Sequence, residues 1–226
     1  MAAKTIFVAG TRRKAGKTLV TAFLLRSLPG AGAIKVTCCR SAGGCPRGRP
    51  CGVCQSLSGP FEVVQDHDIL AQPGKDTARL LKAASGKVVW LKSLPDALAP
   101  GLRAALALFA DEKVVIVEGN AAFQLARRRF IRAAVPASTS SRPRDTIADL
   151  GLLVIGPGPE PSKPSVNVAL PFIRGVVLNT RPGFPPPVMM EGLPSDVSVF
   201  SFDAANPEDD PRAHQFAQWV ADRLGI

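Results

Sequence analysis

The stretch of sequence that decides the fold is GTRRKAGKT, residues 10–18. The apolar residues 5–9 before it predict a buried parallel strand, and apolar residues at helical spacing over 17–28 predict a helix after it. A small-residue loop between a strand and a helix is typical of phosphate binding, because the N–H groups of the loop and the helix then face the anion. We therefore predict a phosphate-binding loop, or P-loop, that holds ATP or GTP.

Individual roles follow from this prediction. Lys17 is expected to reach the β- and γ-phosphates, and the Thr18 hydroxyl is expected to bind Mg²⁺. The spacing departs from the usual pattern, because five residues separate Gly10 from Gly16 and Thr11 stands where the first glycine is expected. A chance Gly-Lys-Thr at a helix start is the alternative. The residues assigned to nucleotide binding in the loop are Gly10, Thr11, Arg12, Ala15, Gly16, Lys17 and Thr18.

Short apolar runs alternate with helical patterns along the rest of the chain. The predicted strands are 33–36, 87–91, 114–117, 152–155, 175–178 and 197–202. The predicted helices are 76–85, 95–110 with a bend near Pro100, and 209–224. Alternating strands and helices favour βαβ units, so the predicted fold is a doubly wound, mostly parallel α/β sheet in a single domain, 1–226.

Acidic residues lie beside several of these elements. Glu118 ends the strand 114–117, a position from which a carboxylate beside a P-loop holds Mg²⁺ directly or through water. Asp66 and Asp68 are further candidate Mg²⁺ contacts, and a turn with aspartate caps explains them equally well. The residues assigned to catalysis, through positioning and charge neutralisation, are Lys17, Glu118, Asp66 and Asp68.

The segment DILAQPGKDT, residues 68–77, resembles the Asp-x-x-x-x-Pro-Gly-Lys-Asp-Ser/Thr segment of the molybdopterin-guanine dinucleotide biosynthesis protein B family. Residues 33–35 and 115–119 look like that family's second strand and acidic strand end. The resemblance implies a homodimeric P-loop protein that binds GTP rather than ATP, with weak GTPase activity. It also implies a role in molybdenum cofactor maturation beside a partner protein, with Asp76 in the nucleotide site; a helix cap is the alternative for Asp76.

The loop is also similar to that of dethiobiotin synthetases, which carry Gly-Thr-x-x-x-x-Gly-Lys-Thr. The pair Glu118-Gly119 matches that family as well, and the resemblance implies that Asn179 contacts the adenine base; a turn-forming asparagine is the alternative. Related dimeric ATPases of the deviant P-loop class keep a lysine at the position of Arg12 that touches the partner's nucleotide. The chain departs from dethiobiotin synthetases after Lys35, where the family's proline is missing.

All five cysteines lie within residues 38–54, inside an insertion, 37–66, that neither family requires. Cys51 and Cys54 form a Cys-x-x-Cys motif, in which two thiolates grip one metal ion. Cys45 and one of Cys38 or Cys39 would complete four ligands for Zn²⁺ or an Fe–S cluster. Thiols without metal, or a zinc knuckle that only pins the loop, are the alternatives.

The charge of the chain indicates an anionic partner. Lys and Arg number 28 against 18 Asp and Glu, a net charge of +10. Arginines between 127 and 144 are candidates for binding the phosphates of a molybdopterin or other anionic cofactor, or they form a solvated helix face. No nucleic-acid-binding module is recognisable, so nucleic acid is not expected as a partner. Without a signal segment or a bilayer-length apolar run, a soluble, cytoplasmic protein without membrane contact is expected.

Three functions are compatible with these patterns. The leading hypothesis is a purine-nucleotide-binding P-loop protein of the deviant Walker, or SIMIBI, type that assists metal-cofactor maturation and carries a cysteine-rich metal or Fe–S module. An ATP-dependent ligase of the dethiobiotin synthetase kind is the first alternative. A metal–sulfur carrier or redox sensor with a regulatory P-loop is the second.

Overall fold

The computed structural model describes residues 3–38, 57–127, 148–158 and 164–226. The predictions for Cys39, Cys45, Cys51 and Cys54, and for the arginines between residues 128 and 144, lie outside these residues. The strands of the described residues are β1 Lys4–Gly10, β2 Ala31–Cys38, β3 Phe61–Val64, β4 Val88–Ser93, β5 Val114–Glu118, β6 Leu150–Ile155, β7 Ile173–Asn179 and β8 Ser198–Phe202. The α-helices are α1 Lys17–Ser27, α2 His67–Leu70, α3 Asp76–Ala83, α4 Leu98–Ala107, α5 Pro164–Asn167 and α6 Pro211–Leu224.

These strands form one eight-stranded sheet in the order β3-β4-β2-β5-β1-β6-β7-β8. Neighbouring strands are parallel except at one edge, where β3 runs antiparallel to β4. The predicted α/β class with a mostly parallel sheet is therefore confirmed. Because β1 lies between β5 and β6, the loop that follows it leaves from the middle of the sheet.

Helices cover both faces of the sheet. Side chains alternate along a strand, so Ile6 and Val8 of β1 belong to one buried cluster and Phe7 and Ala9 to the other. The first cluster includes apolar residues of α1, α3 and α6, and the second those of α4 and the 3-10 helix Asn120–Arg127. Burial on both faces explains why β5 and β6 are continuous apolar runs instead of alternating patterns.

The observed elements differ from the prediction in several places. The short strand β3, the one-turn helices α2 and α5 and the 3-10 helix Asn120–Arg127 carry no long periodic pattern, and they were not predicted from the sequence. The helix predicted over 95–110 instead opens with a 3-10 turn, Pro95–Ala97, before α4. No bend is needed at Pro100, because it lies in the first turn of α4, where the backbone N–H has no intrahelical acceptor.

The helices of the described residues are short. The longest, α6, has 14 residues and alternates buried and exposed positions. Within the described ranges, no helix combines the length and the apolar character that a bilayer crossing requires.

Candidate functional site

The loop between β1 and α1 has the backbone shape of an anion-binding nest. Lys14 and Gly16 adopt left-handed conformations, with φ of 62° and 106°. Alternation of right- and left-handed residues turns successive N–H groups toward one side, where they face an anion. Gly16 is the N-cap of α1 and has no side chain, so no N-cap side chain occupies the first N–H groups of the helix.

Lys17 folds back along this loop. A Cβ atom placed on Gly10 would lie 2.7 Å from Cγ of Lys17, which shows how closely the lysine stem packs over that glycine. The Lys17 ammonium donates to the Arg12 carbonyl at 3.2 Å. The ammonium of Lys17, the lysine predicted to bind phosphate, therefore lies against the loop, whereas the Arg13 side chain is exposed to solvent.

Two asparagine side chains hold the loop at its two ends. The Asn120 amide accepts from the Gly10 N–H at 2.9 Å and donates to the Gly10 carbonyl at 2.8 Å. The Asn179 amide donates to the Ala15 carbonyl at 3.0 Å and accepts from the Ala204 N–H at 2.9 Å. The sequence analysis missed the role of Asn120, because nothing local indicates that the end of β5 reaches the end of β1.

The contact with Asn179 also explains why residue 16 is glycine. A Cβ atom on Gly16 would overlap the Asn179 amide nitrogen, and its positive φ disfavours any other residue. The asparagine thus lies directly against the loop, as a base-contacting residue would. Both of its polar ends contact backbone groups here, and the predicted contact with adenine stays a prediction.

The middle of the loop packs against the segment after β6. The Thr11 N–H donates to the Val154 carbonyl at 3.0 Å, and its buried hydroxyl accepts from the Gly156 N–H at 3.4 Å. A Cβ atom on Gly156 would lie 3.0 Å from Nε of Arg12, so the half-buried Arg12 side chain lies along this segment. The predicted reach of Arg12 to a partner's nucleotide stays a prediction.

Next to the loop, four side chains from four elements meet in one polar cluster: Thr18 of α1, Lys35 of β2, Asp76 of α3 and Glu118 of β5. The Thr18 hydroxyl donates to Oε1 of Glu118 at 2.9 Å. The Lys35 ammonium lies 2.6 Å from the same oxygen and 2.6 Å from Oδ2 of Asp76. The register of the sheet brings this about, because Lys35 and Glu118 are paired residues of β2 and β5.

Burial and charge oppose each other in this cluster. Glu118 is fully buried, and its Oε2 has no hydrogen-bond partner among the described residues. Burial lowers the pKa of Lys35, but the charges of Glu118 and Asp76 and their hydrogen bonds outweigh it and hold that pKa above its ordinary 10.5. Burial raises the pKa of Asp76, but the Lys35 charge and hydrogen bond, together with Thr18 and Arg79, bring that pKa below 3.8.

The donor set of the cluster fits Mg²⁺. Hydroxyl and carboxylate oxygens are the ligands this ion prefers, and it usually takes only one or two carboxylates, with waters and phosphate oxygens as its other ligands. The orphaned Oε2 of Glu118 is a buried acceptor of that kind. No group of three or more His, Cys, Asp or Glu residues converges in the described parts of the chain, so a cage made of protein ligands alone is not present there.

The other acidic candidates take different positions. Asp66 caps α2, and its carboxylate accepts from the N–H groups of Asp68 and Ile69 at 2.9 and 3.1 Å. The Asp68 side chain is fully exposed and lies 3.7 Å from the His67 ring. The structure thus gives Asp66 the capping role that was the alternative, and a contact of either aspartate with Mg²⁺ stays a prediction.

Two residues of β2 remain to be placed. Cys38, a candidate metal ligand, is the last residue of β2 and is half-buried. Lys35, which carries the polar cluster, was not predicted as a site residue; it was noted only as the end of the family-like segment 33–35 and as the residue before the missing proline. The signal that would have identified it is a lysine inside an otherwise apolar strand, since lysine is rarely buried unless it is paired.

Comparison of the chain with protein-family models and with curated proteins finds no match. The functional argument consequently rests on the geometry of the loop and the cluster.

Replacement of Asn120 tests whether it supports the loop. Asn120→Ala is expected to lower the free energy of unfolding by about 1–3 kcal/mol, because the Gly10 N–H and carbonyl lose their partner. Asn206→Ala is the matched control, since the amide of this exposed residue contacts Asp203; a change under about 0.5 kcal/mol is expected. Urea unfolding at equilibrium measures both, and equal losses in the two variants would contradict the assignment.

The lowered pKa of Asp76 predicts a pH dependence of stability. A carboxyl group whose pKa is lower in the folded state stabilises the fold above its unfolded pKa, and this contribution disappears as the pH falls through the folded pKa. The stability difference between wild type and Asp76→Asn should therefore be constant near neutral pH and shrink below pH 3.8. Unfolding curves over this range measure it. The exposed Asp111→Asn is the control, and a difference that grows on acidification would refute the prediction.

Proposed function

We propose that this chain is a purine-nucleotide-binding P-loop protein of the deviant Walker type. The observation that carries the proposal is the joint placement of Lys17 on the nest-shaped loop and of the Thr18 hydroxyl on a buried carboxylate, Glu118. In a phosphate site these are the groups that contact the phosphates and the accompanying metal ion. The loop also leaves from the interior of a parallel sheet, where ligands of open α/β folds bind.

Each group has a separate task in the proposed site. The N–H groups of the loop and the Lys17 ammonium bind phosphate oxygens, and the buried Asn179 and the half-buried Asn120 keep the loop in its binding shape. Thr18 and Glu118 would hold Mg²⁺, which when bound neutralises charge on the phosphates. With Glu118 already engaged by Thr18 and Lys35, the chain favours positioning and charge stabilisation over strong base catalysis, and a slow GTPase or ATPase activity fits this arrangement.

A role in cofactor maturation is supported by where one segment lies. The Pro-Gly-Lys-Asp sequence that resembles the molybdopterin-guanine dinucleotide biosynthesis protein B family delivers Asp76 into the cluster with Thr18 and Glu118. We therefore propose GTP in preference to ATP, a molybdopterin or other anionic cofactor as second ligand, and a cytoplasmic homodimer acting beside a maturation protein. The position of Asn179 against the loop favours the alternative, an ATP-dependent ligase of the dethiobiotin synthetase kind.

Loss of the phosphate lysine tests nucleotide binding. Lys17→Ala is expected to weaken binding of GTP or ATP by about 10- to 150-fold, as for the loss of a hydrogen bond to a charged group. Arg13→Ala is the matched control, because Arg13 is an exposed cation of the same loop; a change below about threefold is expected. Calorimetric titration with each nucleotide and Mg²⁺ measures both the affinity and the base preference. Absence of binding by the wild-type protein would end the proposal.

A cysteine-rich metal module is proposed beside the nucleotide site. Its first cysteine, Cys38, ends β2 at the same sheet edge as Gly10 and Glu118, which end β1 and β5. Protein purified without oxygen is expected to contain bound metal that is lost in the Cys51→Ser/Cys54→Ser variant. Metal and acid-labile sulfide analysis distinguishes the cases: iron with sulfide indicates an Fe–S cluster and zinc alone a structural knuckle. Wild-type protein without metal would contradict the module.

A further inference from the structure

The ammonium of Lys35 occupies an unusual position for a lysine. It extends from a strand of the sheet interior, its side chain is only 14% exposed, and it lies 2.6 Å from carboxylate oxygens of both Asp76 and Glu118. The two carboxylates differ, since Glu118 is fully buried and Asp76 is about half-exposed. One ammonium therefore bridges a carboxylate that is withdrawn from solvent and one that solvent reaches.

This ammonium and a divalent ion would compete for one oxygen. Oε1 of Glu118 accepts from the Thr18 hydroxyl and from Lys35 at the same time. A divalent ion held by the Thr18 hydroxyl and by either oxygen of the Glu118 carboxylate would lie close to the ammonium. Two cations so close in a poorly solvated site repel strongly, so both do not occupy it together.

The charges of the cluster bear on such an exchange. Two carboxylates and the ammonium sum to a charge of −1, whereas the same groups with a divalent ion on Glu118 and Lys35 kept on Asp76 sum to +1, a charge that the phosphates of a nucleotide would offset. The unpartnered Oε2 of Glu118 is a further acceptor that Lys35 does not use and a metal ion or its water can use. Asp76 offers the displaced ammonium a continuing partner at the half-exposed side of the cluster.

We propose that Lys35 is an internal counter-cation, which occupies the divalent-metal position of the nucleotide-free protein and leaves Glu118 when the metal enters. The inference rests on the proposed function for the identity of the metal's partner, a purine nucleotide. Displacement of Lys35 then lowers the intrinsic affinity for free metal. It makes tight metal binding depend on the additional phosphate ligands that a nucleotide supplies, which prevents the site from being filled by metal alone.

Binding of Mn²⁺ without nucleotide tests the proposal directly. Free Mn²⁺ is titrated by electron paramagnetic resonance against wild type, Lys35→Met and Lys35→Gln, which lack the charge, and Lys35→Arg, which keeps it. Lys82→Met, an exposed lysine of α3 outside the cluster, controls for loss of a positive charge. The two neutral variants are expected to bind one Mn²⁺ at least about tenfold more tightly than wild type, because a like charge has been removed from the site. Both Lys35→Arg and Lys82→Met are expected to stay within about threefold of wild type. The first keeps the competing charge, and the second removes only a surface charge, which contributes little.

The location of the gained site is checked with a second change. Lys35→Met/Glu118→Gln is expected to lose the tight Mn²⁺ site, because the buried ligand is no longer charged. Unchanged or weaker Mn²⁺ binding by the neutral variants would overturn the proposal. The proposal would also be overturned if Lys35→Arg bound Mn²⁺ as tightly as the neutral variants do, or if the tight site persisted in Lys35→Met/Glu118→Gln.

Stability gives a second readout if the neutral variants fold poorly. Removing Lys35 leaves two carboxylates unpaired, so these variants should melt at a lower temperature than wild type and gain more from millimolar Mn²⁺. A neutral variant that fails to refold even in the presence of Mn²⁺ would count against the proposal. Since no nucleotide is present in these experiments, failure of GTP or ATP to bind wild type would refute the proposed function without deciding the role of Lys35.

Discussion

A carboxylate buried at the end of an interior strand is the constraint on which the arrangement of the site depends. An ionised Glu118 without partners would cost several kcal/mol, so its burial is tolerated only because a hydroxyl and an ammonium reach one of its oxygens. Those two groups come from α1 and β2, and the ammonium is held in turn by the first residue of α3. One buried charge thus determines how four elements meet beside the phosphate loop.

The loop itself is held by neutral groups. Backbone N–H groups that are to bind an anion cannot at the same time be used inside secondary structure, so the loop must keep its shape by other contacts. Asn120 and Asn179 supply these from the ends of β5 and β7, and Thr11 ties the middle to β6. A loop that already has its binding shape loses less conformational entropy when a nucleotide binds.

The cations around the site fall into two groups that differ in their exposure to solvent. The Lys35 ammonium contacts two carboxylates and is largely withdrawn from solvent. The Lys17 ammonium contacts a backbone carbonyl and is partly withdrawn, whereas Arg13 and Lys14 of the loop are exposed. Withdrawn cations act through short contacts with defined partners, because interactions are stronger where water is excluded. The exposed cations would contribute mainly to the long-range attraction of an anionic ligand such as the proposed nucleotide, as would the net charge of +10 of the whole chain.

The sequence by itself determined the α/β class, the strand–loop–helix unit at residues 4–27 and the candidacy of Lys17, Thr18 and Glu118, because these depend on local periodicity and on spacing within one segment. The tertiary structure decided the rest. Lys35 and Glu118 are 83 residues apart, and Asn120 is 110 residues from Gly10. Such pairs depend on which strands become neighbours, and β2 and β5 pair although two strands and three α-helices of the described residues lie between them in the chain. Strand order arises from the packing of helices on both faces, which no local pattern encodes.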